Sequence, residues 1–142
     1  MSPEDYITER LDDQIKWYSS KSSHNQKRYK QLRIIEIVSA AIIPFIAGMG
    51  DKICYSNWII GILGMIVAIT AGLITLHKNH ELWIQYRTTS EQLKHEKYLH
   101  LTSCPPYNDD DALNHLVSKV EGIISKENSS WKQNSQEKQK KM

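Results

Sequence analysis

"WIIGILGMIVAITAGLITL", Trp58 to Leu76, carries no charged residue over its whole length. A hydrocarbon core about 30 Å thick is crossed by roughly 20 apolar residues, so this run is predicted to be a transmembrane helix. Just upstream, "RIIEIVSAAIIPFIAGMG", Arg33 to Gly50, is a second apolar run of marginal length, and it holds a carboxylate at Glu36 and a proline at Pro44. Only "GDKICYSN", Gly50 to Asn57, separates the two. Its glycine, aspartate and asparagine suit a tight turn, and so short a link forces the helices to run antiparallel. The marginal run thereby becomes the other arm of a hairpin.

Charge sets what lies outside the bilayer. The chain has 142 residues, of which 24% are charged, and a mean hydropathy of -0.50, so most of it is read as aqueous. "MSPEDYITERLDDQIKWYSSK" lacks the basic start, apolar core and small-residue cleavage site of a secretory signal, which makes the first arm an uncleaved anchor. Lys21, Lys27, Arg28, Lys30 and Arg33 precede that arm without an acid among them, and Lys78 and Arg87 follow the second. The turn offers only Lys52 beside Asp51. This bias places both termini in the cytoplasm of a multi-pass inner-membrane protein. The juxtamembrane residues Lys27, Arg28, Lys30, Arg33 and Lys78 are assigned to anionic lipid headgroups. A net formal charge of +2, with no basic surface interleaved with aromatics, argues against nucleic acid.

The aqueous part reads as helix. Ile7, Leu11, Ile15 and Tyr18 recur at near-helical spacing in a cytoplasmic helix over residues 1–33 that runs into the first arm, 34–50. After the turn, 51–57, and the second arm, 58–76, no glycine or proline interrupts 77–103, which is read as a continuous extension. "CPPYNDDD" ends it, and Asp109 to Asp111 cap a last helix, 109–131, striped by Leu113, Leu116, Val117, Val120, Ile123 and Ile124. The tail 132–142 is read as disordered. Three amphipathic segments must bury their stripes, so the fold class is all-α: a two-helix antiparallel transmembrane hairpin continuous with a small cytoplasmic bundle, one domain over 1–131.

Positions four apart share a ridge, which groups Glu36, Ala40, Pro44 and Gly48 on one arm and Gly64, Ala68 and Gly72 on the other. The second row is a small-xxx-small pattern that lets membrane helices approach closely. Folding the hairpin about its turn sets Pro44 opposite Gly64, Ala40 opposite Ala68 and Glu36 opposite Gly72. Glu36 is then either an interfacial carboxylate paired with Arg33, His77 or Lys78, or part of a polar ring at the cytoplasmic mouth of an oligomeric pore. Pro44 is a kink that packing tolerates.

Other constellations carry little chemistry. His77, His80 and Glu81 lack a further ligand for a metal; Asp109 to Asp111 read as a cap; "NSS" at Asn128 matches a glycosylation acceptor by chance. Cys54 and Cys104 fall on opposite sides of the membrane and cannot pair within one chain. No phosphate loop, nucleophile elbow or paired acid and base is present, so no enzyme, cofactor or metal is expected.

"RLDDQIKWY" (Arg10 to Tyr18), "RYKQLRIIEI" (Arg28 to Ile37) and "WIQYRTTSEQLKHEKYL" (Trp83 to Leu99) resemble the bacterial two-transmembrane domains of the SLATT class, over about residues 5–131. The resemblance implies an effector partnered with a sensor or a nucleotide synthetase, whose oligomerised hairpins perforate the membrane in a conflict system. It carries over no catalytic residue. The alternative is a non-conducting membrane scaffold that oligomerises through the same helices.

Overall fold

The computed structural model describes residues 2–140 and is all-α, with no strand among the described residues. Ser2 and Asp5 start the chain as a reciprocal cap: the Asp5 N–H donates to Ser2 Oγ at 3.2 Å and the Ser2 N–H to Asp5 Oδ2 at 3.0 Å. A short helix α1, Pro3–Asp5, leads into a π-helical turn, Tyr6–Leu11. The wider π-turn brings Tyr6, Ile7 and Leu11 together on the buried side. Helix α2 then runs Asp12–Met49, through Pro44. A 3-10 turn over Gly50–Lys52 reverses the chain. Gly50 takes φ +51°, a left-handed conformation that glycine adopts without steric cost. Helices α3, Ser56–His77, α4, Asn79–Leu101, and α5, Ala112–Lys140, follow.

The chain forms two compact units. One comprises Met1–Ser22 and Ile84–Met142, the other Ser23–Trp83. The core of the first unit joins Tyr6, Ile7, Leu11 and Tyr18 from the N-terminal segment, Leu93 from α4, Tyr107 from the following loop, and Leu116, Val120 and Ile124 from α5. Ile7, Leu11, Tyr18, Leu116, Val120 and Ile124 lie on the stripes that the spacing of apolar residues singles out, whereas Tyr6, Leu93 and Tyr107 join them only in the folded chain. Polar groups fill the edges of this core. Lys97 Nζ meets Asp12 Oδ1 at 2.6 Å, partly buried, and Tyr18 Oη donates to the buried Glu127 at 3.1 Å, with Gln85 Nε2 donating from 3.5 Å. Arg10 grips Glu121 by two bonds of 3.2 Å, but on the surface, where such pairs contribute about 1 kcal/mol or less.

Two boundaries differ from those expected. Helix α5 continues past Trp131 to Lys140, across residues assigned to a disordered tail. Lysine, glutamine and glutamate are good helix formers, and the Ser129, Ser130 and Ser135 hydroxyls bond the carbonyls four residues back, at 2.9, 3.0 and 2.9 Å. Residues 141–142 lie outside the described residues. The second departure is a break between α3 and α4 at Lys78, in left-handed conformation with φ 46° and ψ 32°.

Toward its end α3 is covered on every side: Thr70 is buried and Ile66, Val67, Ala71, Gly72, Leu73 and Ile74 are half-buried. Past it His77 and His80 are exposed, whereas Asn79 is buried and Leu82 and Trp83 half-buried. No glycine or proline marks the break.

Truncating the core at Leu93→Ala should cost about 2 to 5 kcal/mol in a denaturant melt of the full chain. The core tyrosines set an alkaline limit. Burial, then the Glu121 carboxylate, pushes the Tyr6 phenol up to about 12 from its ordinary 10.0. Burial and Glu127 raise Tyr18 further, and burial with the Glu96 hydrogen bond raises Tyr107. The folded state therefore holds these protons more tightly than the unfolded chain, so their contribution is complete below pH 10 and is lost as pH rises through 12. Unfolding followed against pH should show stability falling over that window. Tyr18→Phe should flatten the fall and lower stability at neutral pH by about 1 kcal/mol.

Candidate functional site: the apolar hairpin

Within the unit Ser23–Trp83, the C-terminal half of α2 and all of α3 are long and apolar enough to cross a membrane. What distinguishes them from the core helices of a water-soluble protein is how little the chain covers them. Only 11% of the most apolar window of the first helix and 6% of that of the second is buried. Ile34, Val38, Phe45, Ile62, Met65, Ile69 and Leu76 are all more than half exposed. Tyr55 and Trp58 stand 75% exposed at the turn, positions that suit an aromatic belt at a bilayer surface.

The contact between the arms follows a definite stripe. Along α2 the buried or half-buried positions are Tyr29, Leu32, Glu36, Ser39, Ile43 and Ile46, alternately three and four apart. This is the spacing that keeps one face of a helix toward a neighbour. Tyr29 packs against His80, ring centroids 4.9 Å apart, and His80 against Trp83 at 5.5 Å. Counted outward from that contact along antiparallel helices, Ser39 comes level with Thr70, Ile43 with Ile66 and Ile46 with Leu63. Ser39 and Thr70 are the buried polar residues of the two spans. Thr70 satisfies its hydroxyl within its own helix, donating to the Ile66 carbonyl at 2.8 Å and reaching that of Val67 at 3.0 Å.

The small-residue rows lie elsewhere. Ala40, Pro44, Gly48, Gly64 and Ala68 are exposed and Gly72 is half-buried. A Cβ added at Gly48, Gly64 or Gly72 would meet nothing within 4 Å. The expectation that these rows pack the two arms together is therefore corrected. The reason is geometric: residues four apart advance about 400°, so a row of fours drifts about 40° per step and has left the contact face by Gly48. Only Glu36, at the head of its row, shares the stripe.

Glu36 is held by its own helix. Arg33 Nη1 donates to Glu36 Oε2 at 2.8 Å, with the carboxylate side chain 18% exposed and the guanidinium 52%. Of the three partners considered for it, Arg33 is the one engaged. His77 Nδ1 lies 3.1 Å from the Leu73 carbonyl, and Lys78 Nζ lies 3.6 Å from Glu81. Lys27, Arg28 and Lys30 are exposed on α2 just before the apolar run. Among the described residues no three His, Cys, Asp or Glu side chains cluster to hold a metal, and both cysteines are free and exposed.

One polar residue of the hairpin escaped the sequence reading. Asn79 is 4% exposed and its Nδ2 has no hydrogen-bond partner. Nothing in "HKNHE" distinguishes it from a surface asparagine, since its burial follows from the break before it.

Because the outward rows meet open space, Gly64→Leu should change the thermal stability of the detergent-solubilised chain by no more than about 0.5 kcal/mol. Ser39→Leu, on the stripe, should destabilise the hairpin by about 1 to 3 kcal/mol through overpacking. Equal effects would show that the stripe is not the contact.

No curated protein and no solved structure matches the chain. A family model described as a protein of unknown function, DUF4231, matches residues 13–115, from the start of α2 to the first turn of α5. With that match covering most of its length, the chain belongs to the DUF4231 family.

Proposed function

We propose that the protein is an integral membrane hairpin of the SLATT type, with both termini in the bacterial cytoplasm, that assembles with further copies of itself into an ion-conducting effector. The observation that carries this reading is the uncovered apolar surface of α2 and α3, only 11% and 6% buried in their most apolar windows. Such continuous apolar surface is not left in water by a monomer. Lipid covers part of it, and the outward rows Ala40, Pro44, Gly48 and Gly64, Ala68 offer a second copy a close approach. A sensor or nucleotide-synthetase partner would act on the aqueous bundle, as in the conflict systems that the resemblance implies. The bundle's surface names no such partner.

In an assembly, Glu36 is the carboxylate best placed to meet permeating cations at the cytoplasmic mouth, once Arg33 exchanges it for lipid phosphate. A specific observation favours the second reading, a non-conducting scaffold: the 2.8 Å Arg33–Glu36 pair already neutralises that carboxylate inside one helix.

Topology is tested with single cysteines in a Cys54→Ser, Cys104→Ser background. Exposed positions Ser20 and Asn114 should resist an impermeant thiol reagent in intact cells, and Asn57 should react. Strong labelling at Ser20 would overturn the orientation. Conduction is tested in liposomes by potassium against chloride flux. For the effector, wild type passes cations in preference and Glu36→Gln, at equal abundance, lowers that preference. A wild type that forms stable oligomers yet passes no ions, and leaves the membrane potential unchanged on expression, establishes the scaffold.

A further inference from the structure

The break between α3 and α4 is costly by every local measure. Lys78 sits at φ 46°, ψ 32°, a conformation that any residue with a Cβ enters reluctantly. Next to it Asn79 is buried with an unpaired amide nitrogen. The first hydrogen bond of α4 runs from the Leu82 N–H to the Lys78 carbonyl at 3.0 Å, so the N–H groups of Asn79, His80 and Glu81 find no acceptor within α4. In an unbroken helix they would bond the last carbonyls of α3. The sequence invites that helix: from Leu73 to Ser103 it has neither glycine nor proline.

What the break secures locally is modest. It buries Asn79, half-buries Leu82 and Trp83, and seats His80 on Tyr29. Yet the fully buried member of this turn is the polar Asn79, and Leu82 and Trp83 are only half-buried. A strained backbone and an orphaned amide are thus set against one aromatic stack and two partly covered side chains. Terms of this size lie close enough for both forms to be populated.

We propose that residues 76–82 form a two-state joint, exchanging between this broken form and a continuous α3–α4 helix. Closing it returns Lys78 to right-handed helical angles and gives the N–H groups of Asn79, His80 and Glu81 carbonyl acceptors at the end of α3. The exchange goes beyond the proposed function and requires no conduction.

The test is NMR relaxation dispersion and backbone chemical shifts of the full chain in lipid nanodiscs, with Lys78 Cα and carbonyl labelled. Wild type should show exchange confined to residues 76–82. Lys78→Gly removes the left-handed penalty and should raise the broken population about fivefold. Asn79→Leu, which removes the orphaned amide, should act in the same direction. Lys78→Ile, whose branched side chain tolerates the left-handed region worst, should move the shifts to helical values. The proposal is overturned if wild type shows no exchange in this segment. It is equally overturned if Lys78→Ile keeps left-handed shifts and only melts at a lower temperature, for then the break is fixed. Should Lys78→Ile fail to fold, the glycine and leucine variants decide alone, through the expected loss of dispersion amplitude.

Discussion

Each unit is organised by a stripe of covered residues on the longest helix. From Leu11, at the end of the π-helical turn, and along α2 through Ile15, Tyr18, Ser22, Asn25, Tyr29, Leu32, Glu36, Ser39 and Ile43 to Ile46, the chain buries or half-buries a residue alternately every four and every three positions. That alternation averages 3.5, close enough to the helical 3.6 for one face to stay inward over many turns. Within each unit the other helices cover their part of this line. In the unit 23–83 the run from α3 to α4 is interrupted at Lys78, by a left-handed lysine instead of a glycine.

The character of the stripe changes along the helix, and the chemistry of the protein changes with it. Its first part, Leu11 to Tyr18, joins an apolar core with α4 and α5. Its last part, Ile43 and Ile46, is again apolar. Between them stand Ser22, Asn25, Glu36 and Ser39, polar groups on the covered side of a helix about to become wholly apolar on its other faces. Glu36 meets the cost of its position through Arg33 one turn back, and Thr70 through carbonyls of its own helix. Helical residues at a bilayer boundary commonly satisfy polar groups locally, since neither water nor a partner helix is assured there.

The outer faces follow the opposite logic. Ile34, Val38, Phe45, Ile62, Met65 and Ile69 are more than half exposed, and a Cβ at Gly48 or Gly64 would meet nothing within 4 Å. An apolar helix in a water-soluble core is covered on all sides. Here the chain leaves most of it uncovered, which is why the proposed function rests on surface that the fold leaves bare.

Composition and periodicity were enough to determine two helices long and apolar enough to cross a membrane, the turn between them, the all-α class and the apolar stripes of the bundle, because each is a local property: a long apolar run, or a repeat close to 3.6. The core residues Leu11, Tyr18, Leu116, Val120 and Ile124 were legible in that way. What tertiary structure alone decided is phase. Grouping residues by fours placed Ala40, Pro44, Gly48, Gly64 and Ala68 at the contact, but a contact tens of ångströms long needs alternating threes and fours, and these residues rotate out of it. The break at Lys78 and the burial of Asn79 were equally hidden, since no glycine or proline marks the place. Continuation of α5 through Lys140 lay in between, its helix-forming residues being visible but their apolar stripe having ended. Sequence states what each segment prefers; which face it turns inward is settled only when the segments meet.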